Sequence, residues 1–287
     1  QDPEYRRGVA VCLDHLGSGA LEKVVLSRCV DLPLPEGAAP SRVAEALLER
    51  LAIRDHLAAD VYCARDSRGR YWLGASPEVV ADVHDGRLMT LPLAGSLARR
   101  RVEDERRADH LLHASEKDLH EHELVVEHIG AALNGFVHDL DVPASPSLVA
   151  TDTMWHLGTR ITGQLPDGVS ALEAALRIHP TPAVCGRPAA EAARLIGELE
   201  GRSRQFYAGL VGWTDSTGDG RWSLVLRGAR IGEASVRVQA GAGIVPGSSP
   251  RAEHDETGAK LSTMLRQLRG LLPIAPGDAG DERATGA

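Results

Sequence analysis

Two crowded runs of strand candidates, at 59–94 and 205–245, constrain the fold of this 287-residue chain more than any other feature. In the first run, candidates at 59–65, 70–75, 78–84 and 87–94 follow closely on one another, and Asp85-Gly86 joins the last two. Asp-Gly between alternating apolar residues marks a tight hairpin, because both turn residues must accept positive φ. In the second run, segments 205–213, 221–231 and 234–245 are linked by turns rich in Gly and Asp. Connections this short join antiparallel neighbours, since a parallel crossover needs a dozen or more residues.

Helices are expected around these runs. Residues 41–52, one long charged stretch over 102–136, and segments 168–178 and 188–200 carry helical patterns. A last helix starts at Ser249-Pro250, where Ser can cap and Pro fits the first helical position, and runs to about Leu272. Further strands are expected at 20–32, after a Gly-Ser-Gly turn, and around His156–Gly163. Strand runs separated by helices predict an α+β class with layered sheets, one domain over 1–272 and a flexible Pro/Gly/Asp-rich tail over 273–287.

Composition narrows the function. Aromatic residues make up 3%, so Leu, Val and Ala must fill the interior, and a net charge of -8 argues against a nucleic-acid partner. Cys12, Cys29, Cys63 and Cys185 are far apart, which disfavours a zinc site or disulfide framework and points to reduced cytoplasmic thiols. No apolar run reaches the ~18 residues of a membrane span, and no signal segment opens the chain. A soluble cytoplasmic monomer acting on a small molecule is expected.

Charged residues fall on apolar faces in two places. Glu253, Glu256 and Lys260 are spaced i, i+3, i+7, and steps of four from Lys260 reach Met264 and Leu268. An ion-paired surface helix would show the same spacing, but the apolar continuation points the stripe inward. In the long charged stretch, Val125, Ile129, Leu133 and Phe136 form the apolar face, and one turn earlier lies Glu121. An inward carboxylate must be paired, protonated or bound to metal. His120 and His122 flank Glu121, but neighbours on a helix point about 100° apart, so a hard ion such as magnesium, held by Glu121 and Glu256, fits better than zinc.

Other candidates stay open when taken singly. Arg227, in WSLVLRGAR, is either cover for a sheet face or a carboxylate clamp. The Ala240–Gly243 run serves either close sheet packing or the approach of a ligand to backbone N–H groups. Lys23 alone reads as a snorkelling surface lysine, and Glu78 as an ordinary carboxylate at a strand start.

Together these segments resemble the chorismate-utilising enzymes, which include isochorismate, salicylate, anthranilate and aminodeoxychorismate synthases. The matching stretches run in order from KVVLSR (23–28), LGASPE (73–78), PLAGS (92–96), SEKDLHEHELV (115–125) and WHLGT (155–159). They continue through HPTPAVCG (179–186), FYAGLVGW (206–213), AGAGIV (240–245) and the helix at 253–265. The resemblance implies an α+β sandwich of two packed, mostly antiparallel sheets flanked by helices, with the active site in the cleft between them. It also implies a further N-terminal segment of roughly one hundred residues, the size of a small domain, that is expected to be missing here.

The resemblance assigns roles residue by residue. Lys23 is implied as general base and Glu78 as the acid that protonates the departing C4 hydroxyl of chorismate. Glu121 and Glu256, with Glu253 beside them, are implied as magnesium ligands. His156 is implied to line the substrate ring and Arg227 to hold the enolpyruvyl carboxylate, with Gly95, Ser96, Ala242, Gly243 and Lys260 completing the anion site. Lysine rather than glutamine at 23 favours water over ammonia as nucleophile, and Ala94 stands where aminodeoxychorismate synthases carry lysine. Salicylate synthases share the lysine but tend to lack HEHELV and HPTPA. Isochorismate synthase is therefore the expected activity, ahead of salicylate synthase and of a fragment that binds chorismate without turnover. Siderophore and menaquinone synthesis both remain open as pathways.

Overall fold

A computed structural model describes residues 2–55 and 59–273, so the tail expected to be flexible lies, Pro273 apart, outside the described residues. Helix α1 (Pro3–Gly17), strand β1 (Lys23–Pro33) and helix α2 (Pro40–Asp55) lead into the first run of strands. That run comprises β2 (Asp60–Arg65), β3 (Tyr71–Ser76), β4 (Val79–His84), β5 (Arg87–Leu91) and β6 (Leu93–Ala98). Helices α3 (Glu105–His113) and α4 (Glu116–Leu133) follow, then β7 (His138–Asp141), β8 (Ser147–Ala150), β9 (Met154–Gly158) and β10 (Ile161–Gln164). Next come α5 (Ala171–Ile178), β11 (Gly186–Arg187) and α6 (Ala189–Glu200). The chain then forms β12 (Leu210–Thr214), β13 (Gly220–Leu224), β14 (Gly228–Ile231), β15 (Ser235–Ile244) and α7 (Pro250–Leu268).

The expected α+β layering is present. One six-stranded sheet has the order β11-β1-β15-β14-β3-β2 and the other β12-β13-β4-β5-β10-β7, both antiparallel throughout. Helices α2 and α7 cover the first sheet through Leu47, Leu73, Ile231, Met264 and Leu268. Helices α4 and α5 cover the second through Leu88, Val125, Ile129, Ile161 and Ile178. A three-stranded sheet, β6-β9-β8, branches from the second and packs under α3 by Trp155 and Leu157.

Four local features differ from expectation. The 102–136 stretch is two helices, because Asp104 caps α3 and Ser115 caps α4, each accepting from a backbone N–H three residues on. Residues 205–209 form a turn rather than a strand, with Gln205 and Ala208 at positive φ. The 221–231 segment breaks after Leu224 and resumes at Gly228, so Arg227 lies at a corner with φ 48° and not in mid-strand. Finally, α1 is an additional helix: Asp2 caps it and Tyr5, Val9, Cys12 and Leu16 bury one face against β1 and α6.

The break at Arg227 is one of two places where the chain steps from a strand of one large sheet to a strand of the other with no helix between them. Pro77-Glu78 carries it from β3 in the first sheet to β4 in the second, and 225–227 carries it back from β13 to β14. The two corners are hydrogen-bonded neighbours: Leu224 N–H donates to Glu78 O at 3.1 Å, and Ala75 N–H donates to Arg227 O at 3.3 Å.

Leu88 is fully buried in the second sheet, whereas Leu176 on α5 is 58% exposed. Leu88→Ala is expected to lower stability by ~2–5 kcal/mol and Leu176→Ala by under about 0.5 kcal/mol. Denaturant midpoints at unchanged m-value measure both.

Candidate active site

Both sheet-crossing corners open on one cleft, lined by Glu78, Ser96, Glu121, His156, Arg227 and Lys260 among others. Six residues expected from distant parts of the sequence are thus brought to one place. Gly243 lines the same cleft, but Ala242 does not; it pairs with Leu26 across the sheet and is completely buried. Gly95 is set back from the lining, and its positive φ of 72° turns the chain so that Ser96 faces inward.

Lys23 is fully buried, not a surface residue. Its Nζ lies 3.1 Å from Glu121 Oε1, joining the start of β1 to α4. Gly243 is what makes this contact sterically feasible. A Cβ there would overlap Glu121 Oε1 and stand 2.8 Å from Lys23 Cε, so only glycine lets β15 pass the pair. Burial works against the charge on Glu121, but Lys23, Lys117 and Lys260 more than offset it and hold the carboxyl below its usual range.

Helix α7 contributes the stripe foreseen from its spacing. Ser249 caps it, accepting from Ala252 N–H, and Glu253 is fully buried while Glu256 and Lys260 are partly buried. Lys260 Nζ lies 2.6 Å from Glu256 Oε1 and donates to Gly241 O at 3.1 Å. Glu253 meets Lys117 Nζ at 3.0 Å. Burial and the neighbouring Glu256 carboxylate raise the Glu253 carboxyl.

Glu78 sits in the cleft wall with its Oε1 buried and without a hydrogen-bond partner. Burial pushes its carboxyl up to about 7, against the opposing pull of the Leu93 N–H, Lys23 and Lys260. A carboxyl that still carries its proton near neutral pH is a competent general acid. His156 has the opposite character. Burial, then Arg227 and Lys260, push its ring well below the ordinary histidine range, so it is neutral. Arg227 donates to His156 Nε2 at 3.3 Å, which leaves the ring proton on Nδ1, donated to Ser96 Oγ at 2.8 Å.

Three charged or polar residues at the site were assigned no role from the sequence. Lys117 bridges α4 and α7. His122, five residues further along α4, is buried against Thr159 Oγ1 at 2.7 Å. Arg204 donates to the backbone carbonyls of Val25 and Val184 and pairs with the buried Glu200, bracing the back of the cleft. One signal did exist for Lys117: Lys23, Lys117 and Lys260 are the three lysines of the whole chain, against 29 arginines.

A family model described as chorismate binding enzyme matches residues 1–269. The chain belongs to the chorismate-binding enzyme family. Isochorismate synthase DhbC of Bacillus subtilis is 44% identical over 272 residues, covering 93% of this chain and 68% of that one. The crystal structure of DhbC from Bacillus anthracis superposes with a TM-score of 0.84 at 39% identity, over 94% of this chain and 72% of its own. MenF, the menaquinone-specific isochorismate synthase of Escherichia coli, superposes with a TM-score of 0.76 at 30% identity, over 92% and 61%. No helix among the described residues is long and apolar enough to cross a membrane.

The raised Glu78 carboxyl has a stability consequence. Between its unperturbed 4.5 and about 7 the folded state holds a proton that the unfolded state has lost, so stability falls as pH rises through that window. Glu78→Gln should remove this slope and stabilise the fold above pH 7 by on the order of 1–3 kcal/mol. Thermal unfolding of both proteins across pH 5–8 checks it. Gly243→Ala should disrupt the Lys23–Glu121 contact and abolish ligand binding, read by calorimetry.

Proposed function

We propose that the chain is an isochorismate synthase, converting chorismate to isochorismate by adding water at C2 with loss of the C4 hydroxyl. The observation that carries this is a fully buried lysine at position 23, joined to Glu121 of the cleft wall and acting electrostatically on Glu78 of the same wall, whose carboxyl burial keeps protonated near neutral pH. Lys23, in its neutral form, takes a proton from water as the water oxygen bonds to C2. The electron pair shifts through the ring, and Glu78 gives its proton to the C4 hydroxyl as that group leaves. One water enters and one departs, so the product is an isomer of the substrate. Lys23 lies 3.1 Å from the Glu121 carboxylate, so a free lysine lone pair requires Glu121 to turn to another cation.

Chorismate carries two carboxylates, and an acidic protein must meet them with local positive charge. Arg227 and the neutral His156 form one anchor, and we assign the enolpyruvyl carboxylate to Arg227 and the face of the ring to His156. Lys260, Ser96 and the backbone around Gly241–Gly243 form the second anion site.

Glu121, Glu253 and Glu256 suit a magnesium ion: they are hard oxygen donors, and Glu253 Oε2 is buried without a hydrogen-bond partner while its Oε1 meets Lys117. When bound, such an ion supplies fixed positive charge that templates a substrate carboxylate. The four cysteines are free thiols, and we place the enzyme in the cytoplasm, acting as a monomer on a small molecule.

The purified chain is expected to release isochorismate from chorismate with magnesium present, and to stop when the metal is chelated. Turnover should fall above about pH 7 as Glu78 loses its proton. Lys23→Ala should lose most turnover while still binding chorismate. Chromatography with a coupled pyruvate assay reads the product. Stoichiometric salicylate and pyruvate would overturn the release of isochorismate, and binding without any product would overturn the enzyme itself.

A further inference from the structure

The chain uses arginine for 29 of its 32 basic positions and lysine for three, and all three lysines lie at this site. Each is paired with a different glutamate: Lys23 with Glu121 at 3.1 Å, Lys117 with Glu253 at 3.0 Å, and Lys260 with Glu256 at 2.6 Å. The three glutamates are the carboxylates assigned above to magnesium. Lys23 and Lys260 have roles in that assignment, and Lys117 has none.

We propose that Lys117 is an internal counter-cation that holds the carboxylate cluster between α4 and α7, beside the cleft, together when no divalent ion is bound, and is displaced when one binds. The inference rests on the magnesium assignment under the proposed function and extends it to a residue of this chain.

Geometry separates Lys117 from the other two lysines. Its Nζ lies 3.0 Å from Glu253 Oε1, 3.8 Å from Asp118 Oδ1 and 3.9 Å from Glu121 Oε2, so it bridges α4 and α7 at the centre of the carboxylates. Lys23 is fully buried, and Lys260 is tied by a second bond to Gly241 O. Lys117 stands in the first turn of α4 with its side chain 23% exposed, so its stem has a path outward. Burial opposes its charge, but Glu121, Glu256, Glu253 and Asp118 more than offset this and hold the ammonium form.

The residue type suits the task. An ammonium is a compact point charge on a flexible four-carbon stem, and it can leave a site that a divalent ion enters. A guanidinium forms a planar fork that locks onto carboxylates, so arginine would resist displacement. Carboxylates crowded in a buried site without a cation would take up protons or push α4 and α7 apart.

The test uses the wild-type chain first. Magnesium alone should raise its melting temperature, and a limiting amine-acylating reagent followed by mass spectrometry should modify Lys117 severalfold faster with magnesium than with chelator. Lys23 should stay protected in both. If magnesium leaves the melting temperature unchanged, the metal assignment fails. If magnesium raises it but Lys117 labelling is unchanged or slower, the displacement fails while the metal assignment stands. As a second variant, Lys117→Met should melt lower than wild type in chelator and bind magnesium severalfold more tightly by calorimetry. Unchanged or weaker binding with an unchanged melting temperature would overturn the proposal. The labelling result stands whether or not the variant folds.

Discussion

Burying a carboxylate costs several kcal/mol unless a cation meets it, and this fold buries several of them in one place. Lys23–Glu121 joins β1 to α4, Lys117–Glu253 joins α4 to α7, and Lys260 ties α7 back to β15 through Gly241 O. The two helices that cover opposite sheets are therefore locked to each other and to the first sheet by charge, in addition to their apolar faces. Well-packed apolar side chains would serve stability at least as well. The use of charge here belongs to the ligand, which is itself doubly anionic in the activity proposed.

The second constraint is topological. Strands that stay within one sheet cannot present an acid and a base-side cation from both walls of a cleft, but a chain that changes sheets can. The corners at Pro77-Glu78 and at 225–227 do so side by side, and their mutual hydrogen bonds fix Glu78 relative to Arg227. A third link ties the same sheets nearby. Asp60 on β2 accepts from Arg221 and Ser223 on β13, and Arg221 also pairs with Asp82 on β4. The distance between the two walls is thus held by polar bonds, while Arg204 and Glu200 brace the wall behind β1. The same frame produces opposite proton affinities within one cleft: burial lifts Glu78 and lowers His156, leaving a neutral acid and a neutral ring among lysines and arginine.

Much of this was legible in the sequence because it depends on periodicity. Alternation and the Asp-Gly turn marked the strands, and the i, i+3, i+7 stripe of α7 pointed Glu253, Glu256 and Lys260 inward before any contact was known. The step of four back from Val125 likewise placed Glu121 on the buried face of α4. Local pattern also identified caps such as Ser249, since capping involves residues three apart. The ordered set of motifs did the rest, turning residues that were ambiguous one by one into a family.

What only the tertiary structure decided are properties set by neighbours distant in sequence. Lys23 read as a surface lysine because burial of a strand end depends on which helix lies over it, here α4, 98 residues away. Arg227 read as a mid-strand residue because alternation continues through a corner as readily as through a strand. The break becomes visible only when β13 pairs with β4 and β14 with β3. Lys117 had no local mark at all, since its partner Glu253 lies on another helix. Periodicity along a chain specifies which way a side chain faces; which charges it meets there is a property of packing, and that is where this protein's chemistry resides.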